Sequence, residues 1–480
     1  MEEYSVIAVD LGAESGRVIE ICFDGRQLSQ NELHRFPNTP VRVQNTLYWD
    51  VLRLWHEIQM GIEKAIDRAA SIGIDSWGVD FALLDRDGNL VANPVHYRDA
   101  RTDGMMEWVF ERIPRRTVFE HTGVQFMQLN TLYQIASLAK NQSPLLQAAA
   151  TYLTLPDLFH YWLCGARACE FTHVSTTQFF NPGLGDWDRE LLESIGVPTC
   201  IFPEIVSPGS RRGEYRGVPV IAPATHDTGS AVVAVPTTTA NFAYLSSGTW
   251  SLLGLEVSAP VITDTAYAQN VTNEGGVYGT YRLLKNVVGL WLAQQCRATW
   301  ESEGQTYSYD QLTHEAENAA PFRSLIDPDD PLFLPPGAMP FRIREFCQRT
   351  GQPAPQTVGQ TMRAIFESLA LKYRAVLDGL ADLTGKRVET LHVIGGGARN
   401  RLLCQMTANS TGREVVAGPF EATALGNGIV QLISLGVLEN LAEARRIIGA
   451  SQEMARYEPQ AVGDWKEAFE QFCDLTQNRS

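Results

Sequence analysis

Val6-Ile7-Ala8-Val9-Asp10-Leu11-Gly12-Ala13-Glu14-Ser15-Gly16-Arg17-Val18-Ile19-Glu20-Ile21 is the stretch from which the fold is read. An apolar, partly β-branched run is broken at Asp10-Leu11-Gly12, small and polar residues follow, and a second apolar run begins at Gly16. The pattern predicts a β-hairpin. Its turn exposes backbone N–H groups, which can cradle phosphate oxygens. Asp10, at the strand end, can hold hydrated Mg2+, because Mg2+ keeps several waters and takes only one or two carboxylates. The plain alternative is a hairpin turn with solvated polar residues.

Outward from the hairpin, Asp50 stands at a helix N-cap position, and Leu54, Ile58, Ile62 and Ile66 recur every four residues. Ile72 to Leu84 follows, with Ser76-Trp77-Gly78-Val79-Asp80 inside it; Asp85-Arg86-Asp87-Gly88 then supplies turn chemistry, and Leu90-Val91 resumes the apolar run. The stretch from about 100 to 200 is helix-rich. Val218-Pro219-Val220-Ile221-Ala222 is a further strand, Ala224 to Ser230 a polar turn, and Ala231 to Val235 a short apolar helix opened by that turn. A domain boundary is expected at Pro236-Thr237-Thr238-Thr239-Ala240, giving domains 1–236 and 237–480. Beyond it the architecture repeats: strand Phe242–Leu245, turn Ser246-Ser247-Gly248-Thr249, strand Trp250–Leu255. Ile365, Leu369, Tyr373, Val376, Leu380 and Leu383 keep helical spacing, and Gly385 ends that helix. Leu391-His392-Val393-Ile394 is a strand running into Gly395-Gly396-Gly397, and a helix follows from about Asn400 to Gly412. Strand Glu414–Ala417 and a helix opened by Glu421 to Gly428 complete the reading.

The 480 residues are 44% hydrophobic and 20% charged, which predicts a globular chain of two to four domains and excludes a disordered or fibrous one. The net charge of −16 argues against nucleic acid or an anionic membrane as a partner. No stretch approaches about 18 consecutive apolar residues, the length of a membrane-crossing helix. Met1-Glu2-Glu3-Tyr4 lacks the basic start of an export signal, so a cytoplasmic location is expected. The eight cysteines are dispersed, with no C-x-x-C pair, and read as reduced thiols rather than zinc ligands.

Three motifs invite chemistry. Asp227, in Thr225-His226-Asp227-Thr228-Gly229, follows a strand and begins a helix. It can cap that helix or act as a general base toward a sugar hydroxyl, and spacing alone favours the cap. Ser246-Ser247-Gly248-Thr249-Trp250 suits a second phosphate-binding hairpin or an ordinary tight turn. Gly395-Gly396-Gly397-Ala398-Arg399-Asn400 nearly matches G-x-G-x-x-G, but Val416 or Ala417 stands where a dinucleotide site needs an acid. Bare glycine backbone still suits a flat base or ribose. Gly379 to Gly385-Lys386 is one residue too long for a P-loop, and Arg387 replaces its Ser or Thr. No G-x-S-x-G elbow accompanies His226.

Taken in order, Ala8–Ala13, Ser15–Val18, Asp75–Phe81, Tyr97–Arg101, Asn130–Gln134, His226–Thr228, Leu245–Leu252 and Leu284–Trp291 resemble the FGGY family of carbohydrate kinases nearly end to end. The resemblance implies an α/β fold of two actin-like (ribonuclease H-like) domains with an interdomain cleft for ATP and sugar. It implies transfer of the ATP γ-phosphate to the 1-hydroxyl of L-rhamnulose, with Mg2+. Carried over by position, Asp227 is the proton acceptor, and Gly78, His226, Asp227, Thr228 and Asn286 line the sugar. Ala13, Glu14, Ser15, Gly16 and Arg17 meet ATP, with Thr249, Gln294 and Gly396; Asp10 meets the metal through water. Glu14 departs from the family, where a small residue is expected, and no disulfide is carried over. The competing expectations are a kinase of another ketose (L-fuculose or L-xylulose) and a non-catalytic actin-like protein that binds ATP and sugar.

Overall fold

The opening hairpin forms. In the computed structural model, which describes residues 3–460 and 462–477, Tyr4–Leu11 (β1) and Ser15–Phe23 (β2) pair antiparallel, with Asp10 opposite Arg17. Met1 and Glu2, part of the reading against an export signal, lie outside the described residues. Leu28–Pro37 (β3) extends the sheet along β2. Ile72–Ser76 (β4) runs parallel to β1, Val218–Ile221 (β6) runs parallel to β4, and Arg211–Tyr215 (β5) closes the edge antiparallel to β6. The order is β5–β6–β4–β1–β2–β3.

Side chains alternate across a strand, so Val18 and Ile21 of β2 face opposite sides of this sheet. Gly61 of helix Val51–Ile62 lies against Val18, and Gly428 of helix Ala422–Ser434 lies against Ile21. Both faces are therefore covered, and β1 is buried from Val6 to Leu11. Asp50 caps the first of these helices by accepting from Arg53 N–H at 3.2 Å. Ile66 falls outside that helix, in a separate 3-10 turn.

The run Ile72 to Leu84 is not one strand. It breaks at Trp77–Asp80 and resumes as Phe81–Leu84. Asp80 turns inward and accepts from the Trp49 indole at 2.5 Å, the Trp77 indole at 2.9 Å and the Gln134 amide at 3.0 Å. Val79 takes φ +68°, a conformation that a β-branched residue adopts only when its surroundings impose it. Thr131 Oγ1 and Gln134 Nε2 hold its carbonyl at 2.6 and 3.2 Å.

A second sheet repeats the plan. Phe242–Ser247 (β7) and Trp250–Val257 (β8) form a hairpin, with Tyr281–Val288 (β9) beside β8. Thr390–Ile394 (β10) runs parallel to β7, Glu414–Ala417 (β11) parallel to β10, and Ala455–Tyr457 (β12) antiparallel to β11. The order β9–β8–β7–β10–β11–β12 matches β3–β2–β1–β4–β6–β5, and a seventh strand, Thr272–Gly275, is added at the edge beyond β9. The turn of the second hairpin is tighter than the sequence suggests. Ser246 and Ser247 belong to β7, leaving only Gly248 and Thr249 between the strands. Helix Val358–Thr384 ends at Gly385 with φ +66°, so the Gly385-Lys386 stretch is a helix cap and not a phosphate loop.

The compact units are discontinuous where the sequence suggests one cut at 236/237. One unit takes the chain up to Thr238, Glu256–Leu283 and Ala422–Gln452. The other takes Thr239–Leu255, Leu284–Glu421 and the chain from Glu453 onward. Buried polar bonds explain why Ala422–Ser434 belongs to the first unit. Gln431 donates to the Ile7 carbonyl at 3.0 Å and accepts from Ser71 at 2.7 Å, and Asn427 donates to Asp75 at 2.6 Å. Unpairing any of these donors or acceptors away from water costs roughly 1–3 kcal/mol. All eight cysteines are free thiols. Among the described residues, no helix is long and apolar enough to cross a membrane.

Candidate active site

In the first unit the candidate residues collect at the C-terminal ends of β1, β4 and β6. Asp10 is buried and pairs with Arg17 across the hairpin. The turn is shaped by Gly12 N–H donating to the Ser15 carbonyl at 3.0 Å. Asn38 ties it from outside, bonding the Gly12 carbonyl at 2.9 Å and the Glu14 carbonyl at 3.0 Å. Glu14, the residue out of keeping with an anion-binding turn, is exposed.

After β6 the chain reaches Thr225 and His226, which sit beside the end of β4: Ser76 N–H donates to the Thr225 carbonyl at 2.9 Å. Helix Asp227–Val233 follows. His226 occupies the N-cap position and Asp227 is the first helical residue, so the capping role that spacing favoured for Asp227 is not the one it takes. The reason is local. The Asp227 carboxylate accepts from its neighbour Thr228, at 2.5 Å from N–H and 3.1 Å from Oγ1. Its side chain keeps 28% exposure. Burial raises the Asp227 carboxyl above its ordinary value; His226 opposes that and the Asp10 charge reinforces it. A carboxylate so perturbed is a better proton acceptor than a solvated one.

Sequence reasoning missed the groups that hold this turn. Glu170 is fully buried. It accepts from Thr172 N–H at 2.9 Å, Thr172 Oγ1 at 2.5 Å, Thr225 N–H at 2.9 Å and Thr225 Oγ1 at 2.7 Å. Burial nonetheless pushes its carboxyl up to about 7. Thr172 Oγ1 in turn accepts from His226 N–H at 3.2 Å. The available signal was Glu170-Phe171-Thr172, an acid opening a helix; its partner Thr225 is 55 residues away. Gly78 lies against the same histidine. A Cβ there would stand 3.1 Å from His226 Nε2 and 3.6 Å from Thr176 Oγ1, so any side chain would fill the space in front of the imidazole. Gly78, His226, Asp227 and Thr228 are therefore brought together, as the sequence suggests.

In the second unit, Gly248 and Thr249 offer their carbonyls to Leu290 N–H at 2.9 Å and Trp291 N–H at 3.2 Å. This fastens the β7–β8 turn to the start of helix Trp291–Ser302, which carries Gln294. Beside the turn runs Gly395-Gly396-Gly397, because Ile394 of β10 is in register with Ser246 of β7. A Cβ on Gly397 would fall 2.0 Å from Ser247 Oγ, whereas one on Gly396 would meet nothing. Gly396 thus presents exposed, bare backbone. Asn400 caps the helix Arg401–Thr411 through Leu403 N–H at 3.0 Å, which is why it stands at the last glycine position of the near-motif. Gln294 Oε1 is buried with no hydrogen-bond partner, an acceptor that suits a nucleotide amino or hydroxyl group. Thr249, Asn286, Gln294 and Gly396 all belong to this unit. For a hydrated divalent cation the chemistry fits Asp10, a hard carboxylate oxygen at a strand end.

Residues 5–233 match the model of the FGGY family of carbohydrate kinases, N-terminal domain, and residues 243–435 match its C-terminal domain. The chain is 48% identical to a rhamnulokinase of Bacteroides thetaiotaomicron, over 97% of this chain and 98% of that one. It is 42% identical to a rhamnulokinase of Pectobacterium atrosepticum, over 98% and 97%. The crystal structure of gluconate kinase from Lactobacillus acidophilus superimposes with a TM-score of 0.80 at 16% identity, over 99% of this chain and 98% of that one, a likeness of fold.

Proposed function

The chain belongs to the FGGY family of carbohydrate kinases, with the family's two-domain actin-like α/β fold, and from that premise we propose that it transfers the γ-phosphoryl group of ATP to the 1-hydroxyl of L-rhamnulose in L-rhamnose catabolism. The observation that carries the chemistry is Asp227: a partly exposed carboxylate with a raised proton affinity, at the end of the central strands, beside an imidazole and a bare glycine. The sugar is proposed from the printed names of the relatives above.

In this reading Gly78 gives the sugar room, and His226, Thr228 and Asn286 hydrogen-bond it. Asp227 orients the attacking hydroxyl and takes its proton as the oxygen bonds to phosphorus. Phosphoryl transfer demands little covalent help, so positioning and charge neutralisation supply most of the acceleration. The backbone of residues 13–17 and Arg17 meet the phosphates. Thr249, Gln294 and Gly396 hold the nucleotide. Asp10 would hold a hydrated Mg2+ through water, and the ion would supply charge neutralisation at the phosphates. A cytoplasmic location suits both ATP and eight unpaired thiols.

The test is ADP release with L-rhamnulose, L-fuculose and L-xylulose compared by kcat/KM. Preference for L-rhamnulose supports the proposal. Preference for another ketose moves the substrate within the family, and ATP and sugar binding without sugar phosphate would make the chain a binding protein.

A further inference from the structure

His226 is gripped from behind by two charged side chains that the proposed reaction leaves unused. Arg282, on β9, is 1% exposed, and Glu274, on strand Thr272–Gly275, is 4% exposed. Arg282 Nη2 lies 3.1 Å from His226 Nδ1, Nη1 lies 3.2 Å from Glu274 Oε2, and Nε donates to the Gly275 carbonyl at 2.8 Å. Glu274 Oε2 is 3.3 Å from the same Nδ1. At the far edge of the ring, Nε2 is 3.5 Å from Asp227 Oδ1 and faces the bare backbone of Gly78.

A guanidinium has donors and no acceptor. An Arg282 N–H aimed at Nδ1 therefore requires the lone pair there, and the proton of the neutral ring sits on Nε2. Glu274 alone would ask for the opposite tautomer. Its Oε2, however, is also engaged by Arg282 Nη1, and the guanidinium nitrogen stands nearer to Nδ1 than the carboxylate does. Glu274 balances the buried Arg282 charge, without which burying that cation would be costly.

We propose that Arg282 is a positioning residue that fixes His226 in the Nε2–H tautomer, so that the imidazole presents a hydrogen-bond donor to an oxygen of the sugar. This deepens the kinase reading and rests on its placing of His226 against the substrate. It also states a specificity. The ketose atom facing His226 must be an acceptor, a hydroxyl or carbonyl oxygen, and an analogue carrying an ammonium or methylene group there is rejected.

The experiment is nitrogen NMR of the full chain labelled with 15N-histidine, the His226 signals being assigned by their loss in His226→Asn. In the sugar-free protein near neutral pH, His226 is expected to show a protonated Nε2 and a bare Nδ1. In Arg282→Gln the tautomer inverts, because Glu274 becomes the sole charged neighbour of Nδ1. The KM for the ketose then rises about 10- to 100-fold while the KM for ATP stays put. If that variant does not fold, Arg282→Gln combined with Glu274→Gln removes both charges, and the wild-type spectrum decides the matter by itself. A protonated Nδ1 with a bare Nε2, or two protonated nitrogens, in the wild type overturns the proposal. The Nε2–H tautomer in a chain that phosphorylates no ketose leaves the clamp standing and strikes the kinase reading instead.

Discussion

Asp10 and Asp75 stand side by side at one register position of two parallel strands, each at the C-terminal end of its strand and each almost wholly buried. The pair is not symmetric. Asp10 takes Arg17 as its partner, whereas Asp75 takes the Asn427 amide at 2.6 Å and leaves Oδ1 buried and unbonded. Two like charges this close cannot both be kept without cost. Burial first, and the Asp10 charge second, hold the Asp75 carboxyl well above the usual carboxylate range, which favours its neutral form.

A neutral Asp75 makes Asp75→Asn a mild substitution. The amide oxygen can still accept from Asn427, and the change in stability at neutral pH is expected within about 1 kcal/mol by urea unfolding. A loss of several kcal/mol would mean that Asp75 works as an anion.

Glu170 gives the stability a pH slope. Its folded value of about 7 lies above the 4.5 of a free glutamate. The folded state therefore binds more protons than the unfolded chain between those limits, and this group's contribution to stability falls as pH rises through that window. A shift of that size corresponds to a loss on the order of 3 kcal/mol by about pH 7. Glu170→Gln lacks the ionisation. Urea midpoints at about pH 5 and pH 7.5 should therefore diverge between wild type and variant, with the wild type losing more over the interval. Parallel pH profiles would sink the assignment.

Gly397→Ala tests the second unit. Its Cβ would fall 2.0 Å from Ser247 Oγ and 2.6 Å from Ser247 Cβ, distances that force β7 or the glycine turn to move. Overpacking of this kind costs roughly 1–3 kcal/mol. If the turn holds nucleotide, the KM for ATP rises more than the KM for the sugar. Gly396→Ala is the control for stability alone, since no protein atom surrounds that position and an added Cβ there would meet only the nucleotide.

Much of this was legible in local pattern. The opening hairpin, the second hairpin and Gly385 ending a long helix all follow from residues close in the chain. What stayed hidden depends on distance. Asp227 reads as a cap until Thr228 is seen to occupy its carboxylate. The break between Ile72–Ser76 and Phe81–Leu84 depends on Trp49 and Gln134, which hold Asp80 inward from 31 and 54 residues away. Helix Ala422–Ser434 was foreseen as a helix, but its bond to Asp75 spans 352 residues, a pairing that no spacing rule reveals. Glu274 and Arg282 were passed over because neither sits in a recognisable motif; only folding sets them behind His226.

Asp227→Asn is the decisive substitution for the chemistry. The amide keeps the size of the carboxylate, and its oxygen can still accept from Thr228, so the helix start should survive unchanged by circular dichroism. What is lost is the capacity to take a proton. A positioned general base contributes about 10²- to 10⁴-fold, and kcat is expected to fall by that factor while the KM for ATP holds. The profile of kcat against pH sharpens the test. The raised proton affinity of Asp227 predicts that wild-type activity declines on acidification at a pH above the ordinary aspartate range, and that the residual activity of the variant lacks this limb. Near-native turnover in Asp227→Asn would show that the hydroxyl proton leaves by another route, and the role of base would pass from this residue.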